Sequence, residues 1–90
     1  MTSDRELPDP TAATQVIPSL TVDATGLRCP LPLLKAKQAL NQLQVGETVK
    51  VTATDAGSVR DFHAFADLSG HRIIRFAERD GVYEYILEKR

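Results

Sequence analysis

Residues Glu47 to Thr54, ETVKVTAT, alternate without a break. Val49, Val51 and Ala53 fall on one side, and Thr48, Lys50, Thr52 and Thr54 on the other. Successive side chains of a strand point to opposite faces, so this segment has one apolar side and one that faces water. A sheet carrying such a strand is covered by helices on one side only. The chain is thereby restricted to a two-layer arrangement.

The flanking segments supply the other pieces. Leu20 to Ala24 alternates in the same way and reads as a half-buried strand, ending at the turn Thr25-Gly26. Pro30 to Gln44 reads as a helix whose apolar stripe is Leu33, Ala36, Ala39, Leu40 and Leu43, with Gly46 as a left-handed stop. Asp55-Ala56-Gly57 reads as a loop. Ser58 reads as the cap of a second helix, with Asp61 three residues on as a short capping box. The stripe of that helix is Val59, Phe62, Phe65 and Ala66, and Gly70 closes it. His71–Glu78 and Val82–Lys89 read as strands joined through Asp80-Gly81, a strong hairpin signal. The order β-α-β-α-β-β predicts an α+β, two-layer α/β sandwich, two helices on one face of a four-stranded mixed sheet, whose first β-α-β is a right-handed parallel crossover. Residues 1–18, broken by Pro8, Pro10 and Pro18, read as a disordered tail, which leaves 19–90 as the one folded domain.

The single cysteine, Cys29, stands at the mouth of the first helix between Arg28 and the prolines Pro30 and Pro32. A thiolate at a helix N-terminus is stabilised by the backbone dipoles, and Arg28 adds a cation. Pro30 suits the first helical position, and Pro32 also lacks an N–H, so the backbone offers the sulfur few donors and a fixed direction. Leu31 and Leu34 lie outside the apolar stripe, beside Cys29. They read as an apolar collar for docking a partner, or as ordinary surface leucines.

A solitary sulfur has few chemistries open to it. Dithiol exchange needs a resolving cysteine, and this chain has none. A cysteine hydrolase needs a histidine base, and His63 and His71 qualify only by default. Covalent carriage remains, for a persulfide needs one sulfur and no internal base. The competing reading is a small protein-interaction or regulatory module with an incidental, buried cysteine.

Charge and motif content limit the remaining classes. A net charge of -1 argues against direct nucleic-acid binding, which wants a basic surface. No apolar run is long enough to span a membrane, and the opening residues MTSDRELPDP lack the apolar core of a secretory signal. The expectation is a cytoplasmic protein with no cofactor and no metal, since Cys29, His63 and His71 are too few and too scattered for a zinc site.

The stretch DATGLRCPLPLLKAKQAL, Asp23 to Leu40, resembles the signature of the TusA/SirA-like sulfur carriers, a family that also includes the YedF and YeeD proteins. Their motif G-L-x-C-P-x-P is matched by Gly26, Leu27, Cys29, Pro30 and Pro32, and the likeness runs on through VGETVKV, TDAGSVRDF and GHRII to the terminal hairpin. The resemblance implies the same sandwich and a persulfide carried on Cys29. It implies a cysteine desulfurase or similar sulfur donor and a downstream sulfur-acceptor protein as partners. In the family's namesake the relay leads to transfer-RNA thiolation, and other members serve sulfur oxidation or molybdenum-cofactor enzymes. Between the prolines that namesake type often carries an acidic residue where this chain has Leu31, which implies a different partner surface. A carrier that shows its sulfur to two partners in turn is expected to be a monomer.

Overall fold

The alternating segment becomes β2 (Thr48–Ala53), an inner strand of a four-stranded sheet. The computed structural model describes residues 17–90, so most of the expected tail lies outside the described residues. Around β2 stand β1 (Leu20–Ala24), α1 (Leu31–Asn41), α2 (Gly57–Ser69), β3 (Arg72–Arg79) and β4 (Val82–Glu88). The sheet order is β1-β2-β4-β3. β1 pairs parallel to β2, with Val22 opposite Val51, and β2 pairs antiparallel to β4, with Val49 opposite Leu87 and Val51 opposite Tyr85.

Both helices cover one face. Ala24, Val49, Val51, Ala53, Tyr85 and Leu87 of the sheet meet Ala36, Ala39, Leu40 and Leu43 of the first helical segment and Phe62 of α2. Phe62 stacks on Tyr85 with ring centroids 4.2 Å apart, and Tyr85 shares a hydrogen bond of 2.7 Å with the buried Ser58 hydroxyl. An offset aromatic pair contributes about 0.5–1.5 kcal/mol beyond the area it buries. This contact pins the first half of α2 to β4.

The hairpin turns at Asp80 and Gly81, with φ of 53° and 80°. Two successive positive φ values define a type I′ turn, the form that an Asp-Gly pair favours. β3 is an edge strand, mostly exposed, with an irregularity between Ile73 and Arg75. Arg72, Arg75 and Arg79 along it discourage further strand pairing.

Three local expectations are corrected. α1 begins at Leu31, with Pro30 as its N-cap residue, and ends at Asn41. Leu43 still reaches the core beyond the helix end, and the Lys89 ammonium donates to the Leu40 carbonyl at 2.8 Å, satisfying one of the terminal carbonyls. Gly46, at φ 93°, instead turns the chain into β2. Ser58 does not cap α2; Ala56 holds the N-cap position without a side-chain bond, and the Ser58 hydroxyl is taken by Tyr85. Thr48, assigned to the wet face, is buried, and Lys50 and Thr52 are half-buried, because β2 is shielded on both sides by β1 and β4. Gly70 does close α2, with φ 84° and its N–H on the Ala66 carbonyl at 3.1 Å.

Candidate functional site

The segment that delivers Cys29 is braced at its start. As β1 ends, the Asp23 carboxylate accepts hydrogen bonds from the Thr25 N–H at 2.9 Å and the Thr25 hydroxyl at 2.6 Å. These bonds hold the Asp23 carboxyl below its ordinary range, the hydroxyl contributing most. Gly26, at φ 79°, then donates its N–H to the Thr54 hydroxyl at 2.9 Å, tying this turn to the end of β2. Leu27 packs against the core, and the chain emerges at Arg28, Cys29 and Pro30, all exposed.

The helix mouth contributes little to the sulfur. The Leu31 N–H donates to the Arg28 carbonyl at 2.8 Å, and Pro30 and Pro32 have no N–H to offer. Pro32 is buried under the first turn of α1, which makes it a packing residue as well as a stiffener. Leu31 and Leu34, in the first turn of α1, are 45% and 48% exposed.

The second wall of the site comes from α2. The Cys29 thiol donates to the Asp61 carboxylate, one turn into that helix. Gly57, the first residue of α2, lies so close that a Cβ there would sit 3.4 Å from the Cys29 Cβ and 3.7 Å from its Sγ. The Asp55 carboxylate accepts the Gly57 N–H at 3.0 Å. The mouths of both helices thus meet at one sulfur.

This arrangement reverses the expected electrostatics. The thiol is pushed above its ordinary value, first by its hydrogen bond to Asp61, then by desolvation and by the negative charges of Asp61 and Asp55. The opposing cation is Arg60, not Arg28. Two prolines lack an N–H to offer a thiolate, and the Leu31 N–H is taken by the Arg28 carbonyl. Sequence reasoning assigned Asp61 to a cap and Gly57 to a turn. No local signal connected either to a cysteine about thirty residues earlier.

The histidines stay apart from the sulfur. His63 Nδ1 meets the Val59 carbonyl at 2.7 Å, and His71 Nδ1 accepts the Arg90 N–H at 3.0 Å. Among the described residues, no three metal-ligating side chains converge. No helix of the described residues is long and apolar enough to cross a membrane. From Asp61 a groove of about 430 Å³ runs between the helices, lined by Leu33, Lys37, Ala64, Phe65, Leu68 and Ser69.

Comparison with known proteins shows the family. The family model described as sulfurtransferase TusA matches residues 20–89. The chain belongs to the TusA family. Among TusA relatives, the sulfur carrier protein TusA of Allochromatium vinosum is 44% identical over 68 residues, covering 76% of this chain and 90% of that protein. The sulfur carrier protein TusA of Pseudomonas entomophila is 36% identical over 77 residues, covering 86% and 96%. The crystal structure of a SirA-like protein from Desulfitobacterium hafniense superposes with a TM-score of 0.68 at 32% identity, covering 77% of this chain and 95% of that one. The TusA fold is therefore common to all three, and in this chain it brings the starts of α1 and α2 together around Cys29.

Proposed function

We propose that this protein is a sulfur carrier that holds sulfur as a persulfide on Cys29. The observation that carries the reading is the exposed, unpaired Cys29 between two helix mouths, in a chain of the TusA family. An incidental cysteine would fill space in the core. This one faces solvent, and both histidine rings are engaged elsewhere, His63 at the Val59 carbonyl and His71 at the Arg90 N–H.

Carriage is an exchange between sulfurs. The Cys29 sulfur attacks the terminal sulfur of a donor persulfide, a new S–S bond forms, and the donor's own sulfur leaves as a thiolate. No net oxidation occurs. A cysteine desulfurase or a similar donor loads the sulfur, and a downstream acceptor removes it by the same exchange. Transfer-RNA thiolation is one end such a relay can serve. Gly26 and the two prolines set the path and stiffness of the segment, Arg28 lies next to the sulfur in the chain, and Leu31 with Leu34 forms the apolar rim on which partners dock. The sites of loading and delivery are the same atom, so donor and acceptor take turns on a monomeric carrier.

The test is an intact mass under non-reducing conditions after incubation with cysteine and a cysteine desulfurase. The expected result is one added sulfur atom on the wild type, removed by reductant and absent in Cys29→Ser. Equal addition to Cys29→Ser would overturn the assignment.

A further inference from the structure

Among the described residues, Asp61 is the one side chain that hydrogen-bonds the Cys29 sulfur, yet the exchange described above assigns it no part. It projects from α2, whereas the sulfur precedes α1, so the contact depends on how the helices pack. Gly57, at the start of the same helix, puts no side chain against the sulfur.

We propose that Asp61 is the acid–base partner of the carrier sulfur: by accepting the Cys29 S–H it fixes the sulfur against α2 and keeps the unloaded carrier as the thiol. This rests on Cys29 being the carrier sulfur. The charged groups acting on that sulfur are Asp61 and Arg60 of α2 and Asp55 of the loop before it. Two carboxylates against one guanidinium disfavour a bare thiolate. A carrier with an unguarded thiolate would be consumed by stray electrophiles and oxidants, because the thiolate is the reactive form. With the proton held by Asp61, the resting sulfur reacts slowly until a donor persulfide is placed against it.

The proton balance of loading follows. The proton leaves Cys29 as its sulfur bonds to the donor's terminal sulfur, and the donor S–S bond breaks with its electron pair on the departing sulfur. Asp61, already bonded to that proton, hands it to the departing thiolate and ends as the carboxylate it was. A general acid–base group within hydrogen-bond reach is suited to this transfer.

The experiment is the pH profile of iodoacetamide alkylation of the full chain. In the wild type, the rate midpoint is expected to lie at higher pH when the chain is folded than when it is unfolded in urea. In Asp61→Asn, folded by circular dichroism, the midpoint is expected to move down, with a several-fold faster reaction near neutral pH. A folded wild-type midpoint at or below the unfolded one overturns the proposal without any variant, as does an unmoved midpoint in a folded Asp61→Asn. Alkylation requires no sulfur donor, so it is independent of whether the desulfurase loads Cys29.

Discussion

Gly57 lies against Cys29 with no side chain between them: a Cβ built on Gly57 would come within 3.7 Å of the sulfur. The absence of a side chain at the start of α2 is what leaves the sulfur open on that side. Gly57→Leu is therefore expected to cover Sγ, slowing iodoacetamide alkylation and lowering the yield of persulfide in the mass assay. Gly57 does not need a positive φ, and the atom its Cβ would crowd, at 2.9 Å, is the far end of the Asp55 side chain, which can swing aside, so the helix content by circular dichroism should be unchanged. Undiminished alkylation in a folded Gly57→Leu would show that access comes from elsewhere.

Cys29→Ser should separate chemistry from stability. The side chain is exposed and, among the described residues, its only hydrogen bond is to Asp61. Substitutions at such positions usually stay within about 0.5 kcal/mol. Urea unfolding should give nearly the same midpoint as the wild type near neutral pH, while sulfur loading disappears.

The raised Cys29 thiol also predicts a pH dependence of stability. A proton held more tightly in the folded chain than in the unfolded one stabilises the fold below the unfolded thiol's range. That contribution is lost as pH rises through the folded value. The difference in urea midpoint between wild type and Cys29→Ser should therefore change as pH is raised from neutral through the thiol range, against the wild type. A difference independent of pH would mean that the thiol titrates alike in both states.

Phe62 and Tyr85 predict where stability resides. Phe62 is fully buried against the Tyr85 ring, and its replacement removes the main anchor of α2. Phe62→Ala is expected to cost about 3–5 kcal/mol in urea unfolding. Tyr85→Phe leaves the packing intact but strands the buried Ser58 hydroxyl, at about 1–3 kcal/mol. Because α2 supplies Asp61 and Gly57, Phe62→Ala should also speed alkylation of Cys29.

The apolar rim is expected to act on transfer and not on folding. Leu31 and Leu34 are about half exposed, so Leu31→Glu should leave the unfolding midpoint within about 0.5 kcal/mol of wild type. The rate of sulfur passage to or from a partner protein should fall. Unchanged exchange with both donor and acceptor would remove this residue from the docking surface.

The parts of the fold legible in the sequence are those set by neighbours along the chain. The alternation at Val49, Val51 and Ala53, the stripe through Ala36 and Leu40, and the Asp80-Gly81 turn each depend on a period or a φ preference within a few residues. The position of Cys29 just before a helix was local in the same sense. The end of α1 at Asn41 was not, for the Leu40 carbonyl is met by Lys89, 49 residues on. Ser58 and Asp61 matched a capping pattern, but each side chain found a partner farther along the chain, in Tyr85 and Cys29.

By itself the sequence determined a two-layer sandwich with one sulfur at a helix mouth, since period, turn chemistry and a single cysteine are properties of contiguous residues. The tertiary structure alone decided what surrounds that sulfur. The parallel pairing of β1 with β2 brings the ends of both strands side by side, so the two helices that follow them begin next to each other. That packing, and no periodicity, sets Asp61 and Gly57 against Cys29.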